Sequence, residues 1–395
     1  MKSFGKENIG GRKIILFGGA MYGEIAYKMI TSVYGGAVTA IIDNKLRELS
    51  WTNTKVIRFT ELQGIQDADV LICAANSFEL INKQLEKYRK KGIHVYDIRQ
   101  ILCDFKRLYT SDKCKFVSSY LYGELDLEEI TERYNYYAGE ANGYEKKIYL
   151  PYCVLCITNK CSLKCKNCAA FITHYEKRED YTLEYVKENL GKVLDAVDGI
   201  MELELMGGEP FLCKEFNDIL SWCIRQKKIR AVKIITNGTI VPEKDTWDIL
   251  KDNKVKLVID DYGKYSYKFE EVVAGAEENG VRYEKQLLHS WCQIEPVVKH
   301  GFMEEGLEEI FKKCSFRTCI GITNGRFYHC NVAGHMNTVG LLDDEDSDYI
   351  QLHGVEYETE LLRKKLRNFM QKKYIKACDF CSSYMGKEVE VAEQI

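Results

Sequence analysis

Three cysteines fall within one short polar loop, Cys161-Ser162-Leu163-Lys164-Cys165-Lys166-Asn167-Cys168, at the spacing C-x3-C-x2-C. Thiolates grouped this way bind soft metal ions or iron–sulfur clusters. A [4Fe–4S] cube normally takes four thiolates, so a loop that supplies three leaves one iron open to a non-protein ligand. A zinc ion would instead need a fourth ligand nearby, with Cys156 or His174 as candidates. Lys164, Lys166 and Asn167 make the loop polar, which speaks against three cysteines packed as small core hydrophobes.

A second cysteine group lies later in the chain. Cys314, Gly325, Cys330, Cys378 and Cys381 form the pattern C-x10-G-x4-C followed by C-x2-C. Its four thiolates suffice for a closed cluster, and a structural zinc ion would accept the same set. Cys319 is a spare that could displace Cys314. Among the 16 cysteines, Cys73, Cys103, Cys114, Cys213, Cys223 and Cys292 stand alone and are expected to be small buried hydrophobes. In a long chain with no export leader, grouped thiols point to metal or cluster binding rather than to disulfides.

These residues need elements to hold them. Lys13–Phe17, Val38–Asp43, Asp69–Ala74 and Ile93–Tyr96 read as strands, with helical spacing over Glu24–Ile30 and Phe78–Lys91 between them. Strands alternating with helices imply a doubly wound parallel sheet, a Rossmann-like domain over residues 1–103. Residues 104–150 break the rhythm and read as a helical connector, with a helix over Leu125–Tyr137. Alternation then resumes. Strands are expected at Val154–Ile157, Leu203–Met206, Val232–Thr236, Val255–Ile259 and Val281–Glu284. Helices are expected at Leu183–Val197, Phe216–Lys227 and Thr246–Lys251. This is the pattern of a (β/α) barrel or partial barrel over 151–300, whose chemistry sits at the carboxyl ends of strands. Residues 301–395 form a small cysteine-rich extension.

The chain has 395 residues, 46% hydrophobic, with 56 Lys+Arg against 59 Asp+Glu. That near-balance excludes a chain-wide basic surface for nucleic acid or anionic membrane. No apolar run approaches the roughly 20 residues that span a bilayer, so a cytoplasmic protein with no membrane partner is expected. His174, His289, His300 and His335 are isolated and read as surface or core histidines. Tyr262, Tyr265 and Tyr267 read as aromatic packing, and Asp343-Asp344-Glu345-Asp346 as a solvated loop.

The loop over Cys161, Cys165 and Cys168 resembles the hallmark of the radical S-adenosylmethionine (SAM) superfamily, carried at the top of a partial (β/α)6 barrel. The resemblance implies that the open iron chelates the amino and carboxylate groups of SAM. One electron from the cluster then breaks SAM into methionine and a 5′-deoxyadenosyl radical, which takes a hydrogen atom from substrate. Gly207-Gly208-Glu209-Pro210, after one strand, resembles the family's GGEP motif for the SAM amino group. Thr236-Asn237-Gly238, after the next, resembles its TNG turn near the ribose and carboxylate. Asp260-Asp261-Tyr262-Gly263 follows the strand after that, where the family places polar groups for ribose or substrate. Asp260 and Asp261 are the best-placed carboxylates for a general base. The residue before the last cysteine is often aromatic in the family, and here it is Asn167.

The later cysteines resemble twitch, a shortened form of the SPASM auxiliary-cluster domain, and no further cysteine follows Cys381. The resemblance assigns an auxiliary [4Fe–4S] cluster to Cys314, Cys330, Cys378 and Cys381. Near the start of the chain, Gly18-x-Ala20-x-x-Gly23 with Asp43 at the end of the next strand varies the dinucleotide-binding pattern. The domain resembles small Rossmann-like modules fused to sugar-modifying enzymes. It would hold a nucleotide or nucleotide-sugar, or would dock without a ligand.

Three readings of function follow. The first is oxidation or epimerisation of a sugar-like or cyclitol small molecule, with the auxiliary cluster as electron acceptor and a flavodoxin or ferredoxin as donor. The second is modification of a peptide or protein. The third is an iron–sulfur or zinc scaffold without catalysis.

Overall fold

The computed structural model describes residues 1–44, 48–49, 51–109, 130–131, 134–135, 147–288, 290–314, 316–317, 319–342, 348–383 and 386–395. The chain divides into two compact units, Met1–Glu145 and Lys146–Ile395.

The first unit contains β1 (Lys2–Ser3), β2 (Lys13–Phe17), α1 (Met21–Lys28), β3 (Val38–Ile42), β4 (Val56–Ile57), β5 (Ala68–Ile72), α2 (Phe78–Leu85), β6 (His94–Asp97) and α3 (Arg99–Tyr109). Its sheet runs in the order β1-β6-β5-β2-β3-β4, and every pairing is parallel. The central strands are continuous apolar runs because helices cover both faces: Ile15, Leu16, Val70, Leu71 and Ile72 are all fully buried. Strand order reverses between β2 and β5, the place where such sheets form their ligand crevice.

Gly18 follows β2 with φ 112°, and a Cβ there would lie 2.8 Å from the Ala74 backbone nitrogen. A Cβ at Gly23 would lie 2.1 Å from the Gly18 carbonyl, so only glycine lets α1 approach this turn. The helix α3 runs past residue 103 to Tyr109, and Tyr34 donates to its Asp104 at 2.5 Å. Ile130 and Tyr134 are buried within this same unit. Most of the helix expected over Leu125–Tyr137 lies outside the described residues, as do Cys114, His289 and the acidic run 343–346.

In chain order, the second unit opens with β7 (Tyr149–Leu150), β8 (Cys153–Cys156), α4 (Leu183–Ala196), β9 (Gly199–Ile200) and β10 (Leu203–Met206). It continues with α5 (Phe216–Arg225), β11 (Val232–Thr236), α6 (Lys244–Leu250), β12 (Val255–Asp261), α7 (Phe269–Glu278), β13 (Tyr283–Leu287) and β14 (Trp291–Cys292). Then come α8 (Glu304–Lys313), β15 (Ile320–Thr323), β16 (Arg326–Tyr328), α9 (Asn331–Thr338), β17 (Tyr349–Gln351), α10 (Thr359–Met370) and β18 (Glu388–Val389).

Its main sheet has the order β13-β12-β11-β10-β8-β15-β16-β17. The pairings from β13 through β15 are parallel, which is the sheet of a partial (β/α) barrel. β15, β16 and β17 come from the cysteine-rich extension. Ile320, Gly321 and Ile322 pair with Cys153, Val154 and Leu155, so the extension continues the barrel sheet without a break.

Side chains alternate across these strands. Leu203, Leu205, Val232, Ile234, Val255, Leu257 and Ile259 are fully buried on one face. Each contributes about 1.5–3 kcal/mol by burial. The alternate positions carry Glu204, Lys233, Lys256 and Asp260. Thr182 caps α4 by accepting the Tyr185 N–H at 3.3 Å. Cys73, Cys213 and Cys223 are buried as expected, whereas Cys103 and Cys292 are exposed. Cys103 lies on the outer side of α3, between the buried Leu102 and Phe105 positions, and Cys292 on the short ribbon strand β14. No helix among the described residues is long and apolar enough to cross a membrane.

Candidate functional site at the carboxyl ends of the strands

The loop holding Cys161, Cys165 and Cys168 leaves the carboxyl end of β8. The loop after β10 lies directly against it because two positions lack side chains. A Cβ at Gly207 would meet the Thr158 carbonyl at 2.5 Å, and one at Gly208 would meet Cys161 Cβ and the Lys160 carbonyl at 2.4 Å. The Glu209 N–H donates to that Lys160 carbonyl at 2.8 Å. Pro210 then starts a tight turn and is buried.

The Glu209 carboxylate ties its own loop to the turn after β11. It is fully buried and accepts from Phe211 N at 3.2 Å, Thr236 Oγ1 at 3.0 Å and Asn237 N at 2.9 Å. Burial pushes its pKa up to about 7, against those hydrogen bonds, which act to lower it. Asn237 continues the chain of contacts, donating from Nδ2 to Ser162 Oγ at 3.1 Å and to Cys161 Sγ at 3.6 Å. Ser162 Oγ and Thr239 Oγ1 share a bond of 2.5 Å. The cysteine loop, Gly207–Pro210 and Thr236–Gly238 are therefore brought together as one bonded network.

The two aspartates at the end of β12 have different surroundings. Asp260 is buried, accepts from Tyr262 OH at 2.7 Å through Oδ2, and has no hydrogen-bond partner at Oδ1. Burial pushes its pKa up to about 7. Asp261 caps the following turn, accepting the Gly263 N–H at 2.8 Å.

All three thiols of the loop are held toward the neutral form by burial, Cys161 up to about 12 and Cys165 up to about 11. A bound cluster would hold them as thiolates instead. Of the alternative fourth ligands, Cys156 is buried and donates to Thr158 O at 3.4 Å, and His174 pairs with Glu295 at 2.5 Å. The donor set and the side-chain-free approach of Gly207 and Gly208 fit a [4Fe–4S] cluster with one open iron.

The second cysteine group also converges. Cys314, Cys330, Cys378 and Cys381 line one cavity, with Phe311, Val332 and Met336 as apolar walls. Cys319 is not among its lining residues, though it lies near Cys314 and Cys330 as well as Glu204, Lys233 and Cys153. Burial raises the pKa of Cys314 and Cys330 and pushes Cys378 up to about 12. Four thiols around one apolar-walled cavity fit a closed cluster. Among the described residues, no three His, Cys, Asp or Glu side chains converge on a single-ion site.

In the first unit, Gly18, Gly23 and Asp43 do come together, but the chain itself fills their crevice. Asp43 Oδ2 accepts the Gly19 N–H at 3.0 Å, and Leu49 packs over Gly19. Tyr134 OH donates to Ile72 O at 2.6 Å across the end of β5, and its ring meets Tyr22 at 5.2 Å.

Several contributors carried no sequence signal. His335, fully buried on α9, bonds to Tyr175 OH through Nδ1 at 2.8 Å and leaves Nε2 without a partner. Gln394 binds the cysteine loop from a distant segment, and Asn167, within the loop, accepts from the distant Ile294 and Glu295.

Residues 155–262 match the family model of the Radical SAM superfamily. Over 103 residues the chain is 30% identical to the antilisterial bacteriocin subtilosin biosynthesis protein AlbA of Bacillus subtilis, covering 26% of this chain and 22% of that protein. Over 87 residues it is 33% identical to the probable GTP 3′,8-cyclase of Methanocella arvoryzae, covering 22% of this chain and 26% of that protein. The chain thus spans about a quarter of the length of these curated relatives. The crystal structure of BtrN in complex with AdoMet and 2-DOIA aligns with a TM-score of 0.37 at 17% identity, over 63% of this chain and 98% of that one. The cysteine loop thus lies within residues 155–262, the part of the chain that is similar to the radical SAM superfamily, a family whose cofactors are a [4Fe–4S] cluster and S-adenosylmethionine.

Proposed function

We propose that this radical SAM enzyme removes a hydrogen atom from a sugar-like or cyclitol small molecule and oxidises or epimerises it. The observation that carries the reading is the bonded network around Cys161, in which Gly208, Glu209 and Asn237 all meet the cysteine loop. When bound, the cluster and SAM supply the 5′-deoxyadenosyl radical that abstracts the hydrogen.

The protein's own residues then have separate tasks. Cys161, Cys165 and Cys168 hold the cluster. Gly207 and Gly208 let backbone carbonyls approach the SAM ammonium, and Glu209 fixes that turn to Thr236 and Asn237. Asp260, with its free Oδ1, takes the substrate proton. Cys314, Cys330, Cys378 and Cys381 hold an auxiliary [4Fe–4S] cluster. In the oxidative case the substrate loses a hydrogen atom to the radical, a proton to Asp260 and an electron to the auxiliary cluster. A flavodoxin or ferredoxin supplies the electron that starts the turnover.

The sugar-like class is supported by the polar face of the barrel strands. Glu204 binds Lys233 at 3.0 Å, Lys256 binds Glu284 at 2.6 Å, and Asp260 lies on the same side. Paired charges of this kind suit a hydroxylated substrate better than an apolar one. A peptide substrate is the second reading, favoured by the likeness to a bacteriocin biosynthesis protein.

Anaerobic reconstitution of the wild type and of a Cys161/Cys165/Cys168→Ala variant tests the core of the proposal. Two clusters predict about eight irons in the wild type and about four in the variant. With dithionite and SAM, only the wild type should release 5′-deoxyadenosine. Ring-deuterated sugars and cyclitols should transfer deuterium into that product. Transfer from a peptide library alone would move the function to the second reading, and a loaded protein that never yields 5′-deoxyadenosine would support a scaffold.

A further inference from the structure

The segment Lys387–Ile395 folds back over the cysteine loop. β18 pairs antiparallel with β14, Val389 opposite Trp291. Ala392 is then fully buried against Leu163 and Cys165, beside Tyr262, Tyr265 and Trp291. The backbones interlock: Lys166 N donates to Glu393 O at 2.7 Å, and Ile395 N donates to Lys164 O at 3.0 Å. The side chains of Lys166 and Glu393 form an ion pair.

Gln394 sits at the centre of this contact, and its amide orientation is fixed at both ends. Oε1 accepts the Lys164 N–H at 2.7 Å. Nε2 donates to Ala392 O at 2.6 Å and to Cys165 Sγ at 3.1 Å. A flipped amide would set donor against donor at Lys164 and acceptor against acceptor at Ala392. The N–H must therefore face the sulfur.

We propose that Gln394 is a positioning residue whose N–H···S hydrogen bond to Cys165 raises the reduction potential of the SAM-binding cluster. The inference rests on the ligand set proposed above. A reduced cluster carries one more negative charge than an oxidised one, and its thiolates carry part of it. A donor aimed at a thiolate therefore stabilises the reduced form more than the oxidised form.

The test is an anaerobic redox titration of the one-electron 2+/1+ couple by electron paramagnetic resonance. It is run on reconstituted wild type, Gln394→Leu and Glu393→Ala. The signal of the Cys161/Cys165/Cys168→Ala variant is subtracted to remove any second cluster. Leucine keeps the packing volume and removes the donor, whereas Glu393→Ala loosens the segment and keeps the donor. The expected result is wild-type iron content in both, a midpoint shifted to more negative potential in Gln394→Leu, and no shift in Glu393→Ala. An unshifted midpoint in an iron-replete Gln394→Leu protein, or equal shifts in both variants, overturns the proposal.

A measurement on the wild type alone covers the case in which Gln394→Leu loses iron. In protein labelled with side-chain 15N-glutamine, pulsed spectra of the reduced cluster should show a 15N coupling, and its absence overturns the assignment. Iron fully retained in the triple-cysteine variant would instead overturn the ligand set on which the inference rests.

Discussion

Asn167 and Glu295 hold each other through their backbones: Asn167 Oδ1 accepts the Glu295 N–H at 3.2 Å, and the Asn167 N–H donates to Glu295 Oε2 at 3.3 Å. The same Oδ1 also accepts the Ile294 N–H at 3.1 Å. Asn167 has φ 53°, the left-handed region that asparagine tolerates better than most residues. An aromatic ring at this position could accept neither the Glu295 nor the Ile294 N–H. The side chain before the third cysteine thus fastens the cluster loop to residues 294–295.

Replacing Asn167 should therefore loosen the loop. Gly keeps the left-handed backbone but leaves two N–H groups without their acceptor. Asn167→Gly should lower stability by about 1–2 kcal/mol, in line with the loss of buried hydrogen-bond partners. Thermal unfolding of the reconstituted protein measures this, and iron should pass to a chelator faster than from the wild type. Asn167→Phe should be worse on both counts, since it adds a large side chain in a left-handed conformation. Unchanged unfolding in Asn167→Gly would refute the role.

Much of this site is legible in the amino-acid sequence, and the reasons are local. The run Lys13–Phe17 is a strand at the expected residues because a continuous apolar stretch ended by glycine is a buried parallel strand, and Leu203–Met206 is one with its apolar residues set around Glu204. The cysteine spacing and the two adjacent glycines need no tertiary information. What stays hidden depends on distance along the chain. Ile320–Thr323 is too short to announce a strand, and its partner Cys153–Leu155 lies far upstream. Tyr283–Leu287 is a half-exposed edge strand with little apolar signal of its own, so it begins later than the strand expected at Val281–Glu284. Tyr134, which fills the crevice of the first unit, sits in a charged stretch that reads as a connector. Gln394 touches Cys165 across more than half the chain, and no periodicity or spacing relates the two.

Asp260 should make stability depend on pH. Its folded pKa of about 7 lies above the ordinary carboxyl value, so the folded state binds this proton more tightly than the unfolded state. The stabilisation is present at acidic pH and is lost as pH rises toward and through about 7. Asp260→Asn removes that loss and keeps an oxygen for Tyr262 OH. In the metal-free protein it should be more stable than the wild type by about 4 kcal/mol at pH 8, at 1.36 kcal/mol per pKa unit. The two proteins should converge near pH 4. Denaturant titrations at both pH values measure the difference, and the loaded variant should lose substrate turnover. A constant stability gap across the range would rule out titration of Asp260 as the cause.

The auxiliary set should exclude Cys319. This thiol does not line the cavity shared by Cys314, Cys330, Cys378 and Cys381, although it lies near Cys314 and Cys330 as well as Cys153 and Glu204. Cys319→Ala should keep the full iron content of the reconstituted protein, whereas Cys314→Ala should lose about four irons. Because Cys319 is half-buried, its replacement still costs on the order of 1 kcal/mol from lost packing. The reverse iron counts would transfer the ligand role from Cys314 to Cys319.

Gly208 should be the least replaceable of the motif residues outside the cysteines. A Cβ there would lie 2.4 Å from both Cys161 Cβ and the Lys160 carbonyl, and neither atom is the free end of a flexible side chain. The β10 loop would have to retreat from the cysteine loop. That retreat would lengthen the bond from Glu209 N to Lys160 O and misplace the carboxylate that holds Thr236 and Asn237. Gly208→Ala should therefore keep the fold but lose SAM binding. Gly191, on the helix α4, is the control: a Cβ there meets nothing within 4 Å, so Gly191→Ala should match the wild type or stabilise it by up to about 1 kcal/mol. Equilibrium binding of SAM to the reconstituted proteins, with iron counted in each, separates the two effects. At least a tenfold weaker affinity in Gly208→Ala at unchanged auxiliary iron is the expected outcome, corresponding to about 1.4 kcal/mol. Wild-type affinity would mean that the close approach of these loops is not what forms the SAM site.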